Sequence, residues 1–329
     1  MSAAAAAPGP GARPWLARLH PALFGIALGT LGLAGAWQRL VPLGVTRGNP
    51  VSLALFAAGL AVLGVLAVLW AAKLVRHPAV VRQEWHHPVQ GPLLAILPVA
   101  LLLATALAAP AFPSLRAAWL TLTCAALLMQ GLLAWQVVAR LSTGQMPPEL
   151  ITPALYLPTV AGGFVGSMTL NALALPGWGA LLMGMGAGAW ALLEIRILNR
   201  LFAGPLPPLL RPTLGLEIAP AAVGSLALAS LWPGLPAEAL MVCLGVASAP
   251  VMAVLTRWRY WTEVPFNPGF WSFSFPLAAM AGATVEAVRR GGWPVEVAVA
   301  AVAIASAVIA YLAVRTLVLL LRGRLLPPQ

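Results

Sequence analysis

Apolar runs long enough to cross a bilayer follow one another along this chain almost without a gap, and that repetition leaves few folds open to it. A spanning helix needs about 20 mainly apolar residues at a rise of about 1.5 Å per residue. Ten such runs stand at 20–40, 51–74, 91–109, 115–139, 152–174, 177–199, 212–231, 237–256, 268–287 and 295–321. Each connection between them carries a charge or a Pro/Gly break. Charged residues make up only 8% of the 329, whereas a soluble domain needs about 25% to cover its water-facing surface. The expectation is an all-α integral membrane protein, with residues 1–19 a cytoplasmic N-terminal tail and 20–325 a single ten-helix transmembrane domain. The alanine-rich start does not read as a targeting peptide, because its cationic residues follow the apolar stretch and Pro and Gly interrupt it.

The few polar residues exclude several classes of function. All eight acidic residues are Glu, against nineteen Lys and Arg, for a formal net charge of +11. No phosphate loop, dinucleotide glycine motif or nucleophile–base set occurs, so the chain is not read as an enzyme and no cofactor is expected. Nucleic acid is not an expected partner, since the cations are scattered through short connections and not gathered on one segment. Cys124 and Cys243 lie inside apolar runs and form no disulfide or zinc pattern. His77, His86 and His87 with Glu84 share the stretch 75–90, which reads as a cationic loop and not as a metal site.

Basic residues orient the chain. An even number of spans puts both termini on one side, and fourteen of the nineteen Lys and Arg fall there, Lys73, Arg140 and Arg200 among them. Arg39, Arg47, Arg116, Arg289 and Arg290 fall on the other. By the positive-inside rule both termini are cytoplasmic, in a multi-pass protein of the cell's inner (plasma) membrane. Trp15, Trp37, Trp70, Trp119, Trp178, Trp232, Trp258, Trp261 and Trp293 fall near predicted span ends and read as interfacial belts.

Proline divides the spans into two classes. The third, fifth, seventh and ninth each carry one Pro near the start and one inside: Pro92 and Pro98, Pro153 and Pro158, Pro212 and Pro220, Pro268 and Pro276. The first carries Pro21 followed by Gly25 and Gly29. An interior Pro removes a helical hydrogen bond and frees a carbonyl, which hydrocarbon cannot solvate. Odd spans are therefore expected to be kinked and to face inward, with the smooth even spans outside. The lead prolines recur every 56 to 71 residues, which suggests five quasi-repeated helical hairpins closing into a ring around a central pore. The competing account is that proline is simply commoner in membrane helices than in soluble ones.

Three stretches carry a family resemblance: LFGIALG at 23–29, RPTLGLEIAP at 211–220 and PFNPGFWSFSFPLA at 265–278. Together with the spacing of the broken spans they resemble the tellurite-resistance/dicarboxylate transporter family, TehA-like proteins related to the plant slow anion channels. The resemblance implies ten helices in five hairpins, a homotrimer with one pore per subunit, and passage of small inorganic or organic anions. It also implies that a phenylalanine of the ninth helix plugs the pore, and the motif places that residue at Phe275. Two departures stand out. Family members often carry a proline where this chain has Ala27, and Glu217 stands where an uncharged amide can occur.

The residues can be read without the resemblance too. Phe275 precedes Pro276, which biases its backbone away from α geometry and can aim its ring off the regular face. It then serves either as ordinary packing or as a hydrophobic constriction. The residues expected to line the pore are Gly25, Gly29, Pro98, Pro158, Gly162, Gly166, Glu217, Pro220 and Pro276. The glycines in small-xxx-small spacing serve equally well for close helix packing, the preferred reading for Gly184, Gly186 and Gly188. Glu217 is an intramembrane carboxylate, costly and therefore suggestive of function, with Arg196, Arg200 and Arg211 as candidate partners. Glu194 reads as pairing with Arg196. The sequence favours an anion channel; the alternative is a proton-coupled dicarboxylate or tellurite-related oxyanion carrier using Glu217 as its proton site.

Overall fold

The computed structural model describes residues 14–326; residues 1–13 of the expected tail lie outside it. The described part of that tail does not trail into solvent. Trp15–Arg18 forms a 3-10 turn whose Leu16 and Ala17 are buried.

All regular structure among the described residues is helical. The longer helices are α1 (Phe24–Leu40), α2 (Gly48–Arg76), α3 (Ile96–Ala108), α4 (Arg116–Ser142), α5 (Gly162–Ala172), α6 (Pro176–Phe202), α7 (Ala219–Leu231), α8 (Ala237–Thr256), α9 (Ser274–Gly291) and α10 (Val295–Leu321). Seven helical stretches of the described chain are long and apolar enough to cross a membrane. They contain α2, α3, α4, α6, α7, α8 and α10. Helices α1 and α5, with 17 and 11 residues of regular α-helix, lie outside these seven stretches. In α9 the limit is charge, with Glu286, Arg289 and Arg290 in its last two turns.

The breaks take a specific form. Instead of kinked α-helices, the chain enters the inner elements through turns of other pitch: Pro21–Leu23, Pro153–Leu155 and Pro268–Phe273 are 3-10, and Leu157–Ala161 is π. Pro208–Ile218 runs for 11 residues as 3-10 helix, whereas runs beyond about 3–4 are uncommon. Proline fits the first turn of a helix because its missing N–H would have no partner there. Side chains of other helices satisfy carbonyls at these breaks. Gln130 of α4 donates from Nε2 to the carbonyls of Leu157 (2.6 Å) and Pro158 (2.9 Å), and Ser272 Oγ donates to the carbonyl of Pro212.

Burial follows the two proline classes. The stretches around α3 and α7 are 78% and 89% buried, whereas α2, α4, α6, α8 and α10 are 17–28% buried. The contacts are cyclic: α1 packs on α3, α3 on α5, α5 on α7, α7 on α9, and α9 returns to α1. Each outer helix fills the groove between two inner ones, so that α2 touches α1 and α3, and α10 touches α9 and α1. The exposed residues of the outer helices are apolar, as lipid contact requires: Val68, Leu128, Trp135, Leu192 and Val242 are each more than half exposed.

The connection after α2 is not a loop. Pro78–His86 is a short helix, and its Glu84 accepts a hydrogen bond at 2.6 Å from Lys73 Nζ, which is wholly buried and also donates to the Leu19 carbonyl at 2.6 Å. Trp70, expected in an interfacial belt, is buried instead: Lys73 Nζ lies 4.4 Å from its ring and Phe24 packs edge-on against it.

Candidate functional site

A cavity of about 540 Å³ opens at the end of the helix ring where the described chain begins and ends. All five inner elements contribute to its wall. The lining residues furthest along each chain direction are Leu28, Ile96, Phe164, Val223 and Pro276, so the cavity stops about one third of the way along the inner helices. Its wall is mostly apolar. Among the described lining residues Arg324 carries a permanent charge and no carboxylate is present, which suits an anion and repels a cation. His87, in the mouth, is held below the ordinary imidazole range first by burial and second by Arg140.

Phe275 lies at the inner end of this cavity, its residue 6% exposed. A Cβ built on Gly32 of α1 would come within 2.9 Å of Phe275 Cδ2, so the ring rests against a bare stretch of the facing helix. Phe164, also at the inner end, is locked more firmly. Its ring is wedged between Gly186 of α6 and Gly224 of α7, where added Cβ atoms would lie 2.9 and 3.2 Å away. Phe273, two residues before Phe275, turns away from the cavity and packs at 4.7 Å between ring centroids on Trp261.

Gly25, Pro220, Phe275 and Pro276 line the cavity; Gly29, Pro98, Pro158, Gly162, Gly166 and Glu217 do not. The absent glycines are occupied by packing. A Cβ on Gly29 would meet Ser274 Oγ of α9 at 2.1 Å, one on Gly162 would meet Gln130 at 2.4 Å, and one on Gly166 would meet Leu182 at 2.7 Å. On α6 the packing reading holds for Gly186, while Gly184 and Gly188 face open space.

Glu217 is buried in the 3-10 segment behind the cavity wall, and its Oε1 has no hydrogen-bond partner. Two of the three arginines proposed for it are engaged elsewhere. Arg211 pairs with Glu263 at 3.0 Å, and Arg200 donates to the Gly204 carbonyl at 2.9 Å. The charges that act on Glu217 are Glu194 and Arg257. Glu194 does not pair with Arg196; it accepts from Tyr156 Oη at 2.6 Å and Trp190 Nε1 at 2.8 Å. Sequence spacing could not find this group, because its members stand on three separate inner and outer elements.

The SLAC1 family model, described as voltage-dependent anion channel, matches residues 18–319. The chain is similar to a tellurite resistance protein TehA homolog of Haemophilus influenzae, at 27% identity over 92% of this chain and 90% of that protein. It is also similar to the S-type anion channel SLAH3 of Arabidopsis thaliana, at 25% identity over 83% of this chain; the match spans 44% of that longer protein. Broken inner helices, a cavity free of carboxylates and a family match over nearly the whole chain lead to one conclusion: this multi-pass membrane protein belongs to the SLAC1 family of anion channels and transporters.

Proposed function

We propose that the chain forms ten transmembrane helices in five hairpins around a central pore, passes small anions through it, and is held shut by Phe275. The observation that carries this reading is the cavity walled by all five inner elements, without a carboxylate, that ends at the Phe275 ring. A large ring at a narrow apolar point excludes water, and an anion stripped of water faces a steep barrier. The cyclic contacts among α1, α3, α5, α7 and α9 support a single path enclosed within one subunit. The homotrimer implied by the resemblance would bring the apolar outer faces of neighbouring copies together, with lipid over the remainder.

A proton-coupled carrier is the second reading, favoured by one feature: the buried Glu217 carboxyl with an unpartnered oxygen beside Glu194. Protein reconstituted in vesicles separates the two. An anion flux that follows the anion gradient alone, unchanged in Glu217→Gln, supports the channel; a flux that requires a proton gradient and is lost in Glu217→Gln supports the carrier.

Both termini are assigned to the cytoplasm of the plasma membrane, on the distribution of Lys and Arg. Single cysteines placed at Arg82 and at Arg47, in a background lacking Cys124 and Cys243, test this with an impermeant thiol reagent on intact cells. Labelling at position 47 and protection at 82 is expected; the reverse pattern would invert the topology.

A further inference from the structure

The distal end of the inner ring, away from both termini, contains a charged arrangement that the cavity and the proposed gate do not use. Arg39 stands one residue before the end of α1. Its side chain does not turn outward to the surface but runs back along its own helix, where Nη1 donates to the Gly35 carbonyl at 2.9 Å. Gly35 makes room for it, and Gly282 of α9 lies alongside at ordinary contact distance. A Cβ on Gly35 would lie 3.1 Å from Arg39 Nη1 and 3.2 Å from Leu107 Cδ2, and a Cβ on Gly282 would lie 3.4 Å from Leu226 Cδ1 and 3.7 Å from Arg39 Cδ. Leu107 closes α3, Leu226 belongs to α7 and Gly282 to α9. The Arg39 side chain is thus held between its own helix and α9.

Its counter-charge is shared. Glu286 of α9 lies 3.7 Å from Arg39 Nε, 2.7 Å from Arg289 and 3.6 Å from Arg290. Arg290 is further held by the carbonyls of Ala229, Trp232 and Leu235 at the end of α7. One carboxylate among three guanidiniums leaves an excess of two positive charges. Of the five N–H donors of Arg39, the Gly35 carbonyl takes one. The side chain is 27% exposed, so water screens its field only in part.

We propose that Arg39 is an anion-coordinating, specificity-determining residue at the distal mouth, where it takes a small monovalent anion such as chloride or nitrate, with Glu286 setting the net charge of the site. The inference rests on the pore reading above. An anion leaving the apolar section beside Phe275 meets a fixed cation on its path, which lowers the barrier and discriminates against cations. Planar guanidinium donors suit a planar oxyanion as well as a spherical halide.

Planar-bilayer recordings in a Phe275→Ala background test this, with conductance and reversal potential read in a chloride gradient. Arg39→Gln should cut chloride conductance about tenfold and move the reversal potential toward zero as cations begin to pass. Arg39→Lys should restore most of both, and Glu286→Gln should lower the half-saturating chloride concentration on the distal side severalfold. Arg39→Gln leaves Glu286 paired with Arg289 and Arg290, so the protein is expected to elute normally. If Phe275→Ala conducts but Arg39→Gln alters neither conductance nor selectivity, the Arg39 proposal is overturned and the pore reading stands. If Phe275→Ala conducts no more than the unmodified protein, the pore reading falls and the proposal with it.

Discussion

Replacing Phe275 with alanine should raise anion conductance at least tenfold. The ring lines the inner end of the cavity and rests against bare Gly32, so on the proposed reading its removal would open the path beyond it. Truncating a packed phenylalanine typically costs about 3–5 kcal/mol, but part of that cost comes from the cavity left behind, which here would hydrate. Phe275→Leu and Phe275→Trp keep an apolar block and should leave conductance low. Phe273→Ala separates gating from packing. Its ring packs tilted against Trp261 and sits over Gly215, whose added Cβ would lie 2.7 Å from Phe273 Cγ. Loss of that ring should reduce thermal stability and leave conductance unchanged. A pore opened by Phe273→Ala and not by Phe275→Ala would transfer the gate to the other ring.

The second large effect is on folding. Gly163→Ala adds one methyl group, yet that Cβ would come within 2.6 Å of Gly186 Cα, 2.7 Å of Gly186 N and 2.8 Å of the Leu182 carbonyl. All three atoms are backbone of α6, so no side chain can swing away and α5 and α6 must separate. Overpacking of this kind costs about 1–3 kcal/mol, and occasionally more where nothing can yield. Yield of folded protein and Tm should both fall sharply. Gly184→Ala and Gly188→Ala serve as controls, because nothing lies within 4 Å of an added Cβ and alanine favours helix by about 1 kcal/mol over glycine. A normal Tm for Gly163→Ala would show that the two helices are not in direct backbone contact.

Which spans would be buried was legible in the sequence, because the cost of an unpaired carbonyl in hydrocarbon ties interior proline to an inward position. The form of the breaks was not. Whether Pro158 produces a kink or a π turn depends on Gln130, 28 residues earlier on a different helix. Glycines show the limit most clearly: Gly25 and Gly29 have the same chemistry and lie one turn apart, but one lines the cavity and the other abuts Ser274. Absence of a side chain serves a channel wall and a tight helix crossing equally well, so only the facing residue decides. Arg39 illustrates the converse. Hydropathy reads it as a connection charge, because periodicity cannot reveal that bare Gly35 lets it fold back along α1 toward Glu286.

Gln130 settles a further matter, the rotational setting of a helix in an isotropic solvent. Lipid chains exert no preference between one leucine and another, so a 27-residue apolar rod such as α4 could spin about its long axis at little energetic difference. The amide of Gln130, hooked on two carbonyls of the neighbouring element, removes that freedom. Leu128, Leu132 and Trp135 become the side offered to lipid by remainder, with no selection of their own. Gln130, with Gln136 donating to the Trp85 carbonyl further along α4, thus acts as an indexing pin that sets the azimuth of the helix.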